Sequence, residues 1–486
     1  MRKSFFINFG ILLLTNLFAK PLWILADLWV QRETEQEYGV YFVLFNISML
    51  FSVLLDVGIN NFNNRKIAAV PSKFKNYYPN LLSLRLVLSV LYSAILLAVA
   101  YILEYTGKNL IYIAVLGINQ ILLSFILFMR SNFTALQMFK IDSLISVTDR
   151  LVMLIFIAFI FFTNFYTISI PLFIGIQFIG YLVTLITAGS ILSWKKNIFR
   201  LEWNSKFNKI ILRKSIPYAL IVVLMMAYSY SDSIMLDQLL PNGEWHNMIY
   251  AQSFRILMAV NNYAFLISVI LLPIFAKLLH QKKEVQTLLQ SVGSFVLFGL
   301  SVTAIVFYFY AEDIVEFLYT KKVNGEVINL SDLKLSTKVF GFLLLSIVPM
   351  GVNYIYGALL TAKGEMKILN WIAFFGVMVN VILNLNFIPI DGVLGATLSS
   401  VSTQYFCAVL QILWCYKIMK FKLPYKHFFK FILALVLFTL AVYGLHQISR
   451  SFIFMLFLIP LFVVLLFVIK VVDIQQIFAL IKNRKD

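Results

Sequence analysis

Charged residues are scarce in this chain. Asp, Glu, Lys and Arg together make up 13% of the sequence, about half of what a soluble domain carries. Cysteine is nearly absent. Two Cys in 486 residues exclude a disulfide framework and a cysteine-built metal cluster. Cys407 and Cys415 lie in one apolar run and are expected to pack there. The four His (His246, His280, His427, His446) are dispersed, without metal-ligand spacing. No G-x-x-x-x-G-K-[ST], H-E-x-x-H or G-x-S-x-G pattern occurs, so the sequence shows no phosphate loop, zinc-protease helix or nucleophile elbow. What the chain has instead is apolar surface. Hydrophobic residues reach 61%, with 47 Phe and 24 Tyr, and mean hydropathy is +0.89. That much apolar surface requires lipid as the solvent. A cytosolic enzyme, a secreted module and a disordered chain are thereby excluded.

A membrane-spanning helix needs about 20 mostly apolar residues. Fourteen such runs can be read, near 5–30, 38–60, 81–103, 109–129, 144–163, 168–193, 216–240, 248–275, 288–311, 336–360, 367–388, 392–416, 427–447 and 452–472. The first contains Asn16, Lys20 and Asp27 and lacks a small-x-small cleavage site, so it reads as a retained span. Most of the 40 Lys and Arg fall in connections on the side of the N-terminus. The other side holds Arg32, Lys108, Lys321, Lys322, Lys334, Lys338 and Arg450. By the positive-inside rule both termini are cytoplasmic. The formal net charge of +18 is then a topology signal and an attraction to anionic lipid, not a nucleic-acid surface.

The longest cytoplasmic connection, 194–215, is basic and divides six spans from eight. The expected layout is a six-span bundle over 1–193, a linker over 194–215, a second six-span bundle over 216–418, and two further spans with a tail over 419–486. Within the linker, Ile198, Leu201, Phe207, Ile210 and Ile211 could lie on a lipid surface.

An ionisable residue within hydrocarbon costs about 2.5–3.5 kcal/mol on insertion scales, so such residues are the first functional candidates. Asn16, Lys20, Trp23 and Asp27 are spaced as one helical stripe, beside Pro21. A stripe of this kind should face protein or a wet cavity rather than lipid. Its alternative is a purely structural pair. On the eighth run, Gln252, Arg255, Ala259 and Asn262 share a face. Arg255 is either a phosphate ligand, using its planar fork, or a residue snorkelling to the outer interface. Asp232, on the seventh run, is either one half of an ion pair or a coupling-ion site. Asp237 lies closer to the outer water and should be solvated. Arg85 is expected to snorkel, and Asp56, before Gly58, to cap a turn. Asn380 and Asn384 read as helix–helix glue, and Gly392, Gly395, Ser399 and Thr403 as a close-packing face.

Three segments carry a family likeness: Glu33–Ala68 with Glu37-Tyr38-Gly39-Val40-Tyr41 and Leu55-Asp56-Val57-Gly58, Ile249–Leu278 ending near Pro273, and Asn380–Tyr405 with its Pro turn and Gly392-Val393-Leu394-Gly395-Ala396. In order and spacing they resemble the lipid-linked oligosaccharide flippases of the multidrug/oligosaccharidyl-lipid/polysaccharide exporter superfamily. The resemblance implies an all-α membrane protein of about fourteen spans. Two six-helix lobes would surround a central cavity, with two accessory helices following. It implies alternating access, an undecaprenyl-pyrophosphate-linked repeat unit as substrate, and a place in the bacterial cytoplasmic membrane. Lys20 and Arg255 would meet the pyrophosphate, and Asn16, Trp23, Gln252 and Asn262 would line the cavity. Asp27 and Asp232 would couple transport to a proton or sodium gradient, with no bound cofactor or metal. Membrane lipid, a polysaccharide polymerase and chain-length machinery are the expected partners, and nucleic acid is not. The product would be O-antigen, capsule or exopolysaccharide. The alternative is an ion-coupled multidrug or small-cation exporter of the same superfamily. A glycan polymerase would need catalytic groups outside, and the loop at 311–336 offers Glu312, Asp313 and Glu316 but no His or Arg. The chain is therefore expected not to be an enzyme.

Overall fold

Long apolar runs interrupted by Gly, Pro and polar clusters become long helices separated by tight turns. The computed structural model describes residues 19, 21–60, 63, 67, 74–163, 166–196, 200–320, 322–323, 326–327, 330–421, 425–448 and 458. Helix α1 covers 21–34. There follow α2 (Gln36–Phe51, continued by a 3-10 turn at Ser52–Leu55), α3 (Phe74–Ile102), α4 (Gly107–Ala135), α5 (Phe139–Thr163), α6 (Ile170–Lys196), α7 (Ser205–Leu239), α8 (Gly243–His280) and α9 (Gln286–Phe309). A short α10 (Ala311–Tyr319) and a hairpin of β1 (Lys322–Val323) and β2 (Glu326–Val327) lead to α11 (Leu330–Leu344), α12 (Ile347–Lys363), α13 (Met366–Asp391), α14 (Val393–Met419) and α15 (Tyr425–Ile448). Apart from that hairpin, the regular elements among the described residues are all helices.

Twelve spans among the described residues are long and apolar enough to cross a bilayer. They coincide with the second to thirteenth runs expected from sequence, the tenth being broken between α11 and α12. The fourteenth run lies outside the described residues except for Leu458. Several helices outlast the hydrocarbon. The 38 residues of α8 rise about 57 Å at 1.5 Å each, against about 30 Å of hydrocarbon. The surface is the one a lipid solvent calls for, with Val90, Ile111, Ile155, Ile270 and Leu440 all exposed. Serine and threonine survive within spans by bonding back to their own helix, as Thr184 does to Gly180, Ser399 to Gly395 and Thr403 to Ser399.

The chain divides into two compact units, Met1–Met248 and Ile249–Asp486. In the first unit α7 packs on α2. Gly39 makes the close approach of α2 to the start of α8 possible, because a β-carbon there would overlap the Glu244 carbonyl oxygen. The expected linker is partly helical. Residues 205–215 form the first turns of α7, with Asn204 accepting the Phe207 amide as an N-cap. Leu201 and Ile210 are exposed as expected for lipid contact, whereas Ile211 is buried and Phe207 stacks on Tyr77, so both join the core. Ile198 lies outside the described residues.

In the second unit α13 and α14 form a tight hairpin through Gly392, whose φ of 58° suits glycine. A β-carbon on Gly395 would overlap the Phe387 carbonyl oxygen. The small-residue face thus serves close packing. Asn384 donates to Asn380 at 3.2 Å, and both are fully buried. Cys407 and Cys415 are buried free thiols.

Candidate functional site

Two polar clusters in the first unit interrupt its apolar interior. One grows from α1. Asp27 is buried, and the Tyr38 hydroxyl donates to its Oδ1 at 2.9 Å. Tyr38 meets Tyr41 edge-on at 5.2 Å between ring centroids. The Tyr41 hydroxyl accepts the Gln177 amide at 2.8 Å. Phe173 lies against both Tyr41, at 5.3 Å, and Trp23, at 6.0 Å. Helices α1, α2 and α6 thus assemble a carboxylate, two phenols and a carboxamide inside an aromatic wall. Such a group can hold a proton or cation. Elsewhere in the first unit, Asn46 donates to Ser233 at 2.8 Å, Asn247 donates to the Ser233 carbonyl at 3.0 Å, and Asp232 is wholly buried.

The second cluster lies where α2 ends. Arg85 of α3 is fully buried. Its guanidinium donates to Asp56 Oδ1 at 2.5 Å, Asn60 Oδ1 at 2.8 Å and the Ser124 carbonyl and hydroxyl at 2.6 and 2.5 Å. Its Cζ lies 4.9 Å from the centroid of the Phe128 ring. Asp56 also caps the following turn by accepting the Asn60 amide at 3.1 Å. The expectation that Arg85 snorkels is therefore overturned. Five acceptor or π contacts inside the protein replace the water that snorkelling would seek. The turn role expected of Asp56 is present, and an ion pair is added to it. A cavity of about 340 Å³ opens onto the Asp56 side of this cluster.

The remaining expected residues are placed as follows. Trp23 and Asp27 belong to the first cluster, and Asn16 and Lys20 lie outside the described residues. On α8, Gln252 and Arg255 are half-buried and Asn262 is exposed. The Tyr319 hydroxyl donates to the Gln252 carbonyl at 2.9 Å. The buried Oε1 of Gln252 has no hydrogen-bond partner among the described residues. Asp237 is not simply solvated. It is half-buried and accepts the Tyr105 hydroxyl at 2.5 Å. Burial and the Asp237 carboxylate together push the Tyr105 phenol above its ordinary value. Sequence reasoning missed Gln177 and the Asp56–Arg85 pairing. Tyr38 and Tyr41 were in view only as letters of a motif. Among the described residues no group of three His, Cys, Asp or Glu could hold a metal ion.

Comparison with known proteins places this architecture. Residues 7–279, more than half of the chain, match the family described as "Polysaccharide biosynthesis protein". An uncharacterized membrane protein of Methanocaldococcus jannaschii is 26% identical over 388 residues, 76% of this chain and 87% of that one. Among solved structures, the lipid II flippase MurJ in an inward closed conformation aligns with a TM-score of 0.68 at 14% identity, covering 94% of this chain and 97% of its own. An inward-facing MATE family multidrug resistance transporter of the MOP superfamily aligns with a TM-score of 0.63 at 15% identity, covering 81% and 93%. A MOP superfamily transporter from Pyrococcus furiosus gives 0.56 at 15% identity, covering 84% and 94%. At these identities the likeness is one of fold. The chain is a multi-pass membrane protein that belongs to the polysaccharide biosynthesis protein family and shares the fold of the solved MurJ and MATE structures.

Proposed function

We propose that the protein flips a lipid-linked oligosaccharide across the cytoplasmic membrane by alternating access, with both termini in the cytoplasm. The observation carrying this reading is the polysaccharide-biosynthesis family match over residues 7–279 of a transporter fold. The physical task is to carry a charged, sugar-bearing head through about 30 Å of hydrocarbon. The polyprenyl tail can stay in the bilayer. The head needs polar partners along the way, and undecaprenyl pyrophosphate is the carrier this reading assigns. Lys20 and Arg255 bind the diphosphate, and Asn16, Trp23, Gln252 and Asn262 contact the head group. Asp27, held by Tyr38, and the buried Asp232 exchange a proton or sodium ion. Surface polysaccharide such as O-antigen, capsule or exopolysaccharide is the end product, and a polymerase with its chain-length machinery takes over the flipped unit.

A deletion strain without a paralogue tests the reading. It should accumulate lipid-linked repeat units facing the cytoplasm, and normal surface glycan would count against it. One observation favours a second reading, export of small cations. Asp27, Asp149 and Asp232 are buried in the first unit, and Arg85 is the one fully buried cation there among the described residues. Dye efflux from vesicles, independent of glycan synthesis, would support that alternative.

A further inference from the structure

We infer that the cavity at the end of α2 binds an alkylammonium group, a site separate from the residues assigned above to the oligosaccharide head. Three features of the cavity select a cation. First, Arg85 is wholly buried behind Asp56, so the cavity meets the carboxylate and not the guanidinium. Asp56 is one-third exposed, and Arg85 and the Asn60 amide are both held by its Oδ1, so Oδ2 takes neither of these bonds. Second, the 3-10 turn Ser52–Leu55 ends here, and a helical C-terminus carries partial negative charge. Third, Gln120 lines the cavity, is 95% buried by its 5% exposure, and makes no hydrogen bond among the described residues. An ammonium lying between Asp56 Oδ2 and the Gln120 carbonyl oxygen would satisfy it.

Size and lining select an organic cation over a bare ion. The volume of about 340 Å³ is many times the space a single water needs. The walls are apolar, among them Leu127 and Val222. Leu127 is 43% exposed and Val222 41% exposed, so the apolar lining continues to the outer surface of α4 and α7. An alkyl chain can therefore leave sideways while its ammonium stays on the polar floor. An amine-headed phospholipid and a soluble alkylamine share this chemistry.

The test uses the purified full-length protein and native mass spectrometry, with phosphatidylethanolamine or phosphatidylglycerol added and octylamine as the soluble probe. Two variants remove the site without touching the ion pair: Gln120→Leu takes away the amide, and Val222→Trp fills the cavity from its wall. Phosphatidylethanolamine adducts should exceed phosphatidylglycerol adducts on the native protein and be displaced by octylamine. Gln120→Leu should weaken them about tenfold, the worth of one hydrogen bond to a charged group, and Val222→Trp at least as much by occupying the space. Octylamine binding that is lost in both variants, with no lipid preference, would assign the site to a soluble amine and uphold the inference. Equal binding of the two lipids without any octylamine effect would overturn it. So would amine binding by Gln120→Leu and Val222→Trp at native strength.

Discussion

Replacing the two partners of the Asp56–Arg85 pair should have unequal consequences, and the inequality follows from their burial. Arg85 is 0% exposed and Asp56 34% exposed. Asp56→Asn leaves a guanidinium sealed in the protein with only neutral oxygens and the Phe128 ring around it. Breaking a buried pair in this way costs about 3–5 kcal/mol. Arg85→Met removes the charge but keeps most of the stem volume. The carboxylate left behind can turn to water, so the expected cost is smaller, about 1–2 kcal/mol, near that of a lost charge-assisted hydrogen bond. The double variant Asp56→Asn/Arg85→Met contains no buried charge and should be more stable than Asp56→Asn alone. Reversible unfolding in mixed micelles, run as a double-mutant cycle, measures all three. Arg85→Met costing more than Asp56→Asn, or strictly additive effects, would refute the assignment of Arg85 as a sealed charge.

Three further outcomes are expected. Gly39→Leu would drive its side chain into the Glu244 carbonyl and should abolish folded protein in a size-exclusion assay, while Gly189→Ala, whose β-carbon meets nothing within 4 Å, should leave the yield unchanged. Tyr38→Phe removes a donor from the buried Asp27 and should cost about 1–3 kcal/mol of stability, read by thermal unfolding. It should also reduce glycan export, and native export with native stability would show that the contact is incidental. Arg255→Ala should lower export well below Arg255→Lys at equal membrane abundance, because a lysine keeps the charge and loses only the fork. Equal activity in both variants and the native protein would remove Arg255 from the substrate path.

The spans were legible because hydrocarbon demands long uninterrupted apolar runs. The twelve described spans fall on the expected runs from the second to the thirteenth. Their ends were less legible. The first turns of α7 are rich in Lys, Arg and Asn, and hydropathy sees nothing there, although Asn204 caps the helix and Ile211 anchors it in the core. The polar clusters were only half legible. Asp27 was conspicuous as a charge in a span, but its partner Tyr38 follows in the next helix, and Gln177 reaches Tyr41 from a distant one. Arg85 was misjudged because snorkelling is the default for a cation near a helix end. The acceptors that keep it inside, Asp56, Asn60 and Ser124, come from separate segments whose proximity is a tertiary fact. In the second unit the small-residue face of α14 was legible, since it depends on a neighbour across one tight turn, whereas Asn380 and Asn384, read as glue between helices, bond to each other within α13.

The central claim is transbilayer movement of a lipid-linked glycan, and reconstitution tests it most directly. Purified protein in sealed vesicles, loaded with an undecaprenyl-pyrophosphate-linked oligosaccharide and probed with a membrane-impermeant glycosidase outside, should make the inner-leaflet pool cleavable over time. Arg255→Ala should slow that exposure. Cleavage stopping at the outer-leaflet fraction, as in protein-free vesicles, under every imposed proton or sodium gradient would contradict the account.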